Sequence, residues 1–584
     1  MDILFVTSDT KLSLNHLTNG TMLLGTKLLH AGFDVGITCF GQYNSFNKDY
    51  DIFISDITSY ILQQNPSAVS FYVLWHYFHI ILRIAREIKS KNSTIITVLG
   101  GPHASSTAKE IIESDIDYID YVCAGEGEKT VVPFFTKILH NGCTTPFEIP
   151  GVHYKTPDGY YCSNSKVPLD DIDNLPRWDH RLIGSIIPEN EPKYTSETYY
   201  MPLDAGRGCP FGCTYCVTSR VLDRTYRMKS ADRIISDIKY YNDRYGIRSF
   251  NFSHDAFTVN NKLVSNVCDK LLAEKLDIVW KCTTRLDCIS EELIKKMMKA
   301  GLRGIEVGVE TGSQRMQAII RKNLDLEKSK KMISFLVNQG LDVSVFFMYG
   351  FPEENDDDIN LTLNFMFDCL DMGVLSTSST FCRFAPGTPM TLEYYDKLFL
   401  DSNNLQLNRS VFGYRNELEH IKKHKSLFTV YYNLDTPVRQ DYEFIHYLNK
   451  LYMNNRPIMR NLRRCYRDDM VSFYNDFVNS NKDLLSNLST ASAAIKSNSI
   501  EIIKNMVGIM DNVYAEKAKH IIEYYSDITA LKTQPSGSIC QKWYAFNYLD
   551  YLEGTALELS DNTKSELLLT KDDSNVYTHL INFV

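Results

Sequence analysis

Several things are scarce in this chain of 584 residues, and each scarcity excludes a class. Long apolar runs are missing: the longest, such as Phe71–Trp75, fall far short of the roughly 20 residues a bilayer-spanning helix needs. Positive charge is not in excess, since 62 basic against 71 acidic residues leave a net charge of −9. That balance speaks against bulk binding to nucleic-acid phosphates. Cysteine, at 14 residues, is too sparse for a disulfide scaffold, and most of the cysteines are solitary. The opening residues have no basic stretch before their short apolar run, so they read as a first strand and not a leader peptide. With 44% hydrophobic and 23% charged residues, the composition is neither that of a disordered chain nor that of a membrane bundle. The expectation is a cytoplasmic, multidomain protein, because a chain this long exceeds one hydrophobic core.

The first 140 residues alternate short β-branched runs with helical patterns. Strands are expected at Ile3–Thr7, Phe33–Phe40, Ala68–Val73, Thr94–Leu99 and Tyr118–Ala124, with helices over Gly20–His30 and Phe78–Lys89. Such alternation predicts an α/β, doubly wound, Rossmann-like parallel sheet, which binds ligands beyond the carboxyl ends of its strands. Two of those ends are glycine-rich: Gly100-Gly101-Pro102-His103-Ala104-Ser105 and Gly125-Glu126-Gly127-Glu128. Without Cβ atoms, backbone there can approach a bulky ligand closely. The plain alternative is a pair of tight turns capped by Ser105 or Ser106 and Glu128. Residues 141–198 read as a linker with a hairpin at Thr156-Pro157-Asp158-Gly159.

From 199 to 390 six further strands are expected, at Tyr199–Ala205, Ser249–Ser253, Ile278–Cys282, Gly304–Val309, Val343–Met348 and Thr377–Phe384. Helical patterns lie between them, which predicts a (βα)6 partial barrel with function at the carboxyl ends of its strands. Residues 391–584 read as mainly helical, a domain that caps the barrel or shapes its substrate site. The aromatic residues of that tail, among them Phe428, Tyr431 and Tyr432, are read as core.

One cysteine cluster stands out. Cys209, Cys213 and Cys216 form C-x3-C-x2-C in a glycine-rich loop after the first barrel strand. Three thiolates this close repel one another unless a cation or cluster takes their charge, and soft sulfur selects zinc, copper(I) or iron–sulfur clusters. Structural zinc wants a fourth protein ligand from a second close pair, which the sequence does not offer nearby. A [4Fe–4S] cluster on three cysteines instead leaves one iron open to a small molecule.

This loop, with Tyr215 as its aromatic, resembles that of the radical S-adenosylmethionine (SAM) superfamily. The resemblance continues through Phe250–Phe257, Trp280–Asp287, Gly304–Gly312, Tyr349–Glu353 and Phe384–Pro389. It implies that Cys209, Cys213 and Cys216 hold a [4Fe–4S] cluster, with Tyr215, Asp255, Arg285, Gly308, Glu310, Gly350 and Pro352 around SAM. Asp255 is then placed for the SAM amino group, Arg285 for its carboxylate and Glu310 for the ribose. With the N-terminal sheet, the whole resembles the cobalamin-binding radical SAM class, the implied cobalamin contacts being Ser70, Gly100, Gly101, His103, Ser105, Gly125, Glu126, Gly127 and Glu128. The Asp-x-His-x-x-Gly signature that supplies a cobalt ligand elsewhere is absent, which leaves the lower face of the metal unassigned. What the class implies is SAM cleavage to a 5′-deoxyadenosyl radical and methylation of an unactivated carbon of a small-molecule or peptide substrate. It also implies an electron donor such as flavodoxin or ferredoxin. A non-methylating radical reaction and a non-catalytic corrinoid protein are the alternatives. Only Cys39 and Cys123 fall in the first 140 residues, against the second cluster of a methylthiotransferase.

Overall fold

The computed structural model describes residues 1–9, 18–142, 149–156, 159–162, 171–179, 181–182, 200–400, 412–467, 469–486, 499–509, 515–532, 539–544, 565–571 and 576–583. The chain forms two compact units. The first comprises Met1–Val307, Ile320–Lys322 and Arg383–Asp435; the second comprises Gly308–Ile319, Asn323–Cys382 and Thr436–Val584.

In the first unit, β1 (Ile3–Thr7) lies between β2 (Val35–Cys39) and β3 (Ala68–Tyr72), and β4 (Ile96–Gly100) and β5 (Tyr121–Cys123) follow beyond β3, all parallel. The chain therefore reverses its direction of winding between β1 and β3, the place where open sheets of this kind bind ligands. Helices α1 (Asn19–His30), α2 (Tyr50–Gln64), α3 (Phe78–Lys91) and α4 (Pro102–Glu113) connect the strands. The sequence reading missed α2. Its apolar residues Phe53, Ile54, Ile57 and Ile61 recur at helical spacing and are buried, and Asp49 caps it by accepting the Ile52 N–H.

The hairpin expected in the linker is present, but it joins the sheet instead of standing apart. β6 (Val152–Thr156) pairs antiparallel with β5, and β7 (Gly159–Cys162) pairs with β6, so the ribbon extends the sheet to seven strands. Its turn residues Pro157 and Asp158, and the stretches 163–170 and 183–199, lie outside the described residues.

Three more parallel strands and most of a fourth belong to this unit: β8 (Met201–Asp204), then beyond a short antiparallel pair, β9 (Gly206–Gly208) with β10 (Tyr226–Met228), come β11 (Ser249–Ser253), β12 (Val279–Thr284) and β13 (Leu302–Glu310), whose residues from Gly308 onward fall in the second unit. β11 lies between β8 and β12, and β12 pairs with β13 over Leu302–Val307. Their alternation is two-sided: Phe250, Phe252, Trp280, Cys282, Ile305 and Val307 are buried, and Trp280 Nε1–H donates to the Ala300 carbonyl at 2.8 Å.

Residues 412–435 also belong here and pack on the N-terminal helices. His79 Nδ1 meets the Tyr431 hydroxyl at 2.6 Å, and Tyr50 donates to Glu417, which also pairs with Arg83 and Arg86. Phe428, Tyr431 and Tyr432 are buried, as a core role requires.

In the second unit, β14 (Asp342–Tyr349) and β15 (Ser376–Phe381) pair parallel, which completes the six expected strands. The acidic run before helix Asp356–Asp371 is a reciprocal cap, with Asn355 and Asp358 each bonding the other's backbone N–H. Tyr452 of helix Ile445–Asn454 stacks on Phe367 at 4.3 Å. Two helices, Ser499–Gly508 and Ala515–Lys532, take most of the expected Ser499–Tyr524 segment; 510–514 lie outside the described residues. The chain then adds an antiparallel sheet of β16 (Ile539–Tyr544), β17 (Ser565–Lys571) and β18 (Val576–Phe583), which the helical reading of the tail did not include.

Candidate functional site

The cysteine loop is built from tight backbone turns. Gly206 and Gly208 adopt φ of +157° and +85°, and a Cβ at Gly208 would collide with the Thr225 carbonyl beside the strand that pairs with it. Gly208→Ala is therefore expected to displace the loop and lower the iron retained after anaerobic reconstitution; unchanged iron content would contradict this. Asp255 Oδ2 accepts the Gly208 N–H at 2.8 Å and its Oδ1 accepts the Thr218 hydroxyl at 3.2 Å. Asp255 thus braces the loop at the edge of the cavity described below. His254 braces the other side: its Nδ1 accepts the Ala256 N–H, so Nε2 carries the proton toward the Arg227 carbonyl, and burial lowers its pKa.

Burial raises the pKa of the Cys209 and Cys216 thiols, and neighbouring cysteine charge raises both further. Cys213 Sγ is met by Arg285 Nη1 at 3.8 Å. Among the described residues no three Cys, His, Asp or Glu side chains already converge as a metal site. The donors nonetheless suit an iron–sulfur cluster: three soft ligands on one loop whose mutual repulsion a positive centre would relieve. Arg285 lies 3.8 Å from the Phe211 ring centroid, forks onto Asp287 at 2.9 and 2.8 Å and reaches the Lys322 carbonyl at 2.7 Å. The guanidinium expected at the SAM carboxylate is here committed to protein partners.

A cavity of about 630 Å³ opens where the first sheet's loops face the cysteine-loop strands. Ser70, Gly100, Gly101, Ser105, Gly125, Glu126, Gly127, Glu128 and Asp255 all line it, as do Asp204, Gly206, Arg207, Ser253, His254 and Thr283. Ser105 is not a helix cap: Gly101 precedes α4, and Ser105 Oγ accepts the Gly125 N–H at 2.9 Å, tying the two glycine loops together. Room for a flat ligand is real, since a Cβ on Gly20 would meet nothing within 4 Å and one on Gly100 only the Cys123 carbonyl at 3.9 Å. Asn19 Oδ1, also on the wall, is buried without a hydrogen-bond partner, as a polar ligand's recess would leave it. The residues therefore fit a corrin.

His103 is a correction. It does not line the cavity; the start of α4 turns it into the core against Phe78, at 4.4 Å between rings, and burial lowers its pKa to about 3. Neither ring nitrogen has a partner. Tyr215 and Arg285 likewise stand off the cavity wall.

The sequence reading missed the charge network at the cavity edge. Arg207, between the two glycines of the cysteine loop, pairs with Glu128 at 2.5 Å, Glu126 at 3.3 Å and Asp204 at 3.6 Å; Arg227 pairs with Glu126 at 2.8 Å. Burial opposes the Arg207 charge, but Glu128, Asp204 and Glu126 outweigh it.

The remaining expected SAM contacts, Gly308, Glu310, Gly350 and Pro352, lie in the second unit. Glu310 takes φ +71° at the end of β13 and is buried. Behind Gly350, Glu354 accepts the Gly350 and Phe351 N–H groups, and burial pushes its pKa from 4.5 to about 8. A carboxyl protonated more readily folded than unfolded stabilises fully below about pH 4.5, and that stability is lost as pH rises through about 8. Urea midpoints from pH 5 to 9 are expected to fall less for Glu354→Gln, by the equivalent of about 4 kcal/mol. Parallel curves for variant and wild type would contradict the assignment.

Comparison with known proteins gives a B12 binding domain over residues 10–134 and a match to the Radical SAM superfamily over residues 204–366. An uncharacterised methyltransferase of Pyrococcus horikoshii is 27% identical over 319 residues, covering 54% of this chain and 67% of the relative. An anaerobic magnesium-protoporphyrin IX monomethyl ester cyclase of Rubrivivax gelatinosus is 26% identical, over 48% of this chain and 50% of the cyclase. The chain thus spans between half and two thirds of these relatives. Of solved structures, the radical SAM methyltransferase TsrM of Kitasatospora setae superposes with a TM-score of 0.54 at 16% identity, over 68% of this chain and 76% of its own. The cobalamin-dependent radical enzyme OxsB superposes at 0.55 and 15%, over 91% and 82%. At such identities these two structures show the fold alone. Among the described residues no helix is long and apolar enough to cross a membrane. A B12 binding domain followed by a radical SAM domain is the pairing of the cobalamin-dependent radical SAM enzymes, and the chain belongs to that class, whose cofactors are a [4Fe–4S] cluster, SAM and cobalamin.

Proposed function

We propose that the protein is a cobalamin-dependent radical SAM methyltransferase acting on an unactivated carbon of a small-molecule or peptide substrate in the cytoplasm, reduced by a flavodoxin or ferredoxin. The observation that carries this is the shared cavity: loops of the corrin-type sheet and the braced strand before the three cysteines line one space. Cys209, Cys213 and Cys216 would hold the cluster, and Ser70, Gly100, Gly101 and the Gly125–Glu128 loop would seat the corrin. Together the three cofactors supply an electron, a hydrogen-abstracting radical and a methyl group. The chain's own part is positioning. Asp255 fixes the cysteine loop, His254 holds the paired strand beside it, and Ser105 fixes the two glycine loops to each other.

The test is anaerobic: load the protein with iron, sulfide and cobalamin, add SAM and a strong reductant, and quantify 5′-deoxyadenosine and S-adenosylhomocysteine separately. Both products, with bound corrin, support methylation. Deoxyadenosine alone favours the second reading, a non-methylating radical reaction, which the similarity to a cyclase of Rubrivivax gelatinosus keeps in view. SAM left intact refutes both.

A further inference from the structure

The strands of the first unit have an unusual second face. Parallel strands in barrels and doubly wound sheets normally bury bulky branched residues on both sides. Here register places Asn251 beside Lys281, and Thr283 beside Glu306, on the face opposite Phe250, Trp280, Cys282 and Ile305. Ser253 and Thr283 of this face line the cavity, so the polar surface continues inward from it. Lys281 Nζ meets Glu306 Oε1 at 2.9 Å and stands 5.4 Å from the Tyr200 ring centroid, and Thr283 donates to Glu306 Oε2 at 3.2 Å.

We propose that Asn251, Lys281, Thr283 and Glu306 form the substrate-recognition surface, selecting a zwitterionic substrate (an amino acid or peptide end) over a hydrocarbon one. This deepens the proposed function and rests on it. An ion pair kept only to fill a packed interior is buried; Lys281 and Glu306 keep 29% and 27% of their side-chain surface exposed. They are partly exposed, paired to each other and of opposite sign, so a carboxylate and an ammonium can take over the two halves without leaving either charge unpaired. A hydrocarbon on this face would strip water from both charges and return nothing.

Thermal unfolding of the cofactor-loaded protein tests this, with free amino acids and dipeptides at millimolar concentration as one set of probes and a triterpene in detergent micelles as the other. At least one zwitterion is expected to raise the midpoint by about 2–4 °C. Lys281→Met/Glu306→Gln should lose that shift, and Asn251→Leu, which spares the ion pair, should lose it at least in part and serves if the double variant does not fold. Protection by the triterpene alone, no shift with any zwitterion, or a shift that survives in both variants overturns the proposal. SAM cleavage by the wild type is measured separately, so failure of the enzyme reading shows there and failure of the recognition reading shows in the probes.

Discussion

Cys213→Ala is expected to reduce iron retention from about four per chain to near zero and deoxyadenosine formation by more than roughly 100-fold, the upper end of what loss of a mere outer-shell partner costs at a metal site. Cys213 is the most buried of the three cysteines, and Arg285 already stands at its sulfur. Alanine leaves two thiols to carry a centre that needs three protein ligands, and it leaves the guanidinium without its sulfur neighbour. Cofactor analysis and product quantification read this directly. An alanine variant that keeps its iron and its cleavage would mean that Cys213 is not a cluster ligand. The N-terminal part of the cavity wall should be untouched, because Ser70 and the two glycine-rich loops belong to other elements than the cysteine loop.

The second large effect is expected at Arg207→Met. Glu128 is only 4% exposed and Arg207 is its cation, so removing Arg207 strands buried carboxylate charge there, while Glu126 keeps Arg227. Breaking such a pair costs about 3–5 kcal/mol, whereas removing both partners costs far less. Denaturant unfolding should therefore show Arg207→Met destabilised by about 3 kcal/mol, with part of the loss recovered on adding Glu128→Gln. Strictly additive losses would show that the pair is not coupled. Corrin retention should fall in step, since the same carboxylates fix the loop that lines the cavity.

What the sequence made legible was local. The cysteine spacing, the glycine-rich strand ends and the six barrel strands can each be read within a dozen residues, and each stands where it was expected. Partners distant along the chain were not legible. Arg207 and Glu128 are 79 positions apart, and nothing around either announces the other. The ribbon at Val152–Cys162 was readable as a hairpin, but not its pairing with β5, because edge pairing depends on which backbone is left open. His103 shows a third limit. A residue in a glycine-rich loop was assigned to the ligand because the loop was. Once Pro102 begins α4, helical rotation sends His103 to the core and brings Ser105 to Gly125. Arg285 follows β12 directly, and its fork is spent on Asp287, a partner only two residues away.

The clasp between His79 and Tyr431 joins residues 352 positions apart. During synthesis at about 5–20 residues per second, His79 leaves the ribosome roughly 20–70 s before Tyr431 of the covering segment 412–435 exists. For that interval Tyr50, His79 and the arginines awaiting Glu417 face water or a chaperone. A chain truncated before residue 412 would hold the protein in that nascent state for good, with an aromatic surface exposed and a marked tendency to aggregate. The N-terminal sheet is in this sense a module in sequence but not in manufacture: its last layer is delivered by a segment that follows all the barrel strands in the chain.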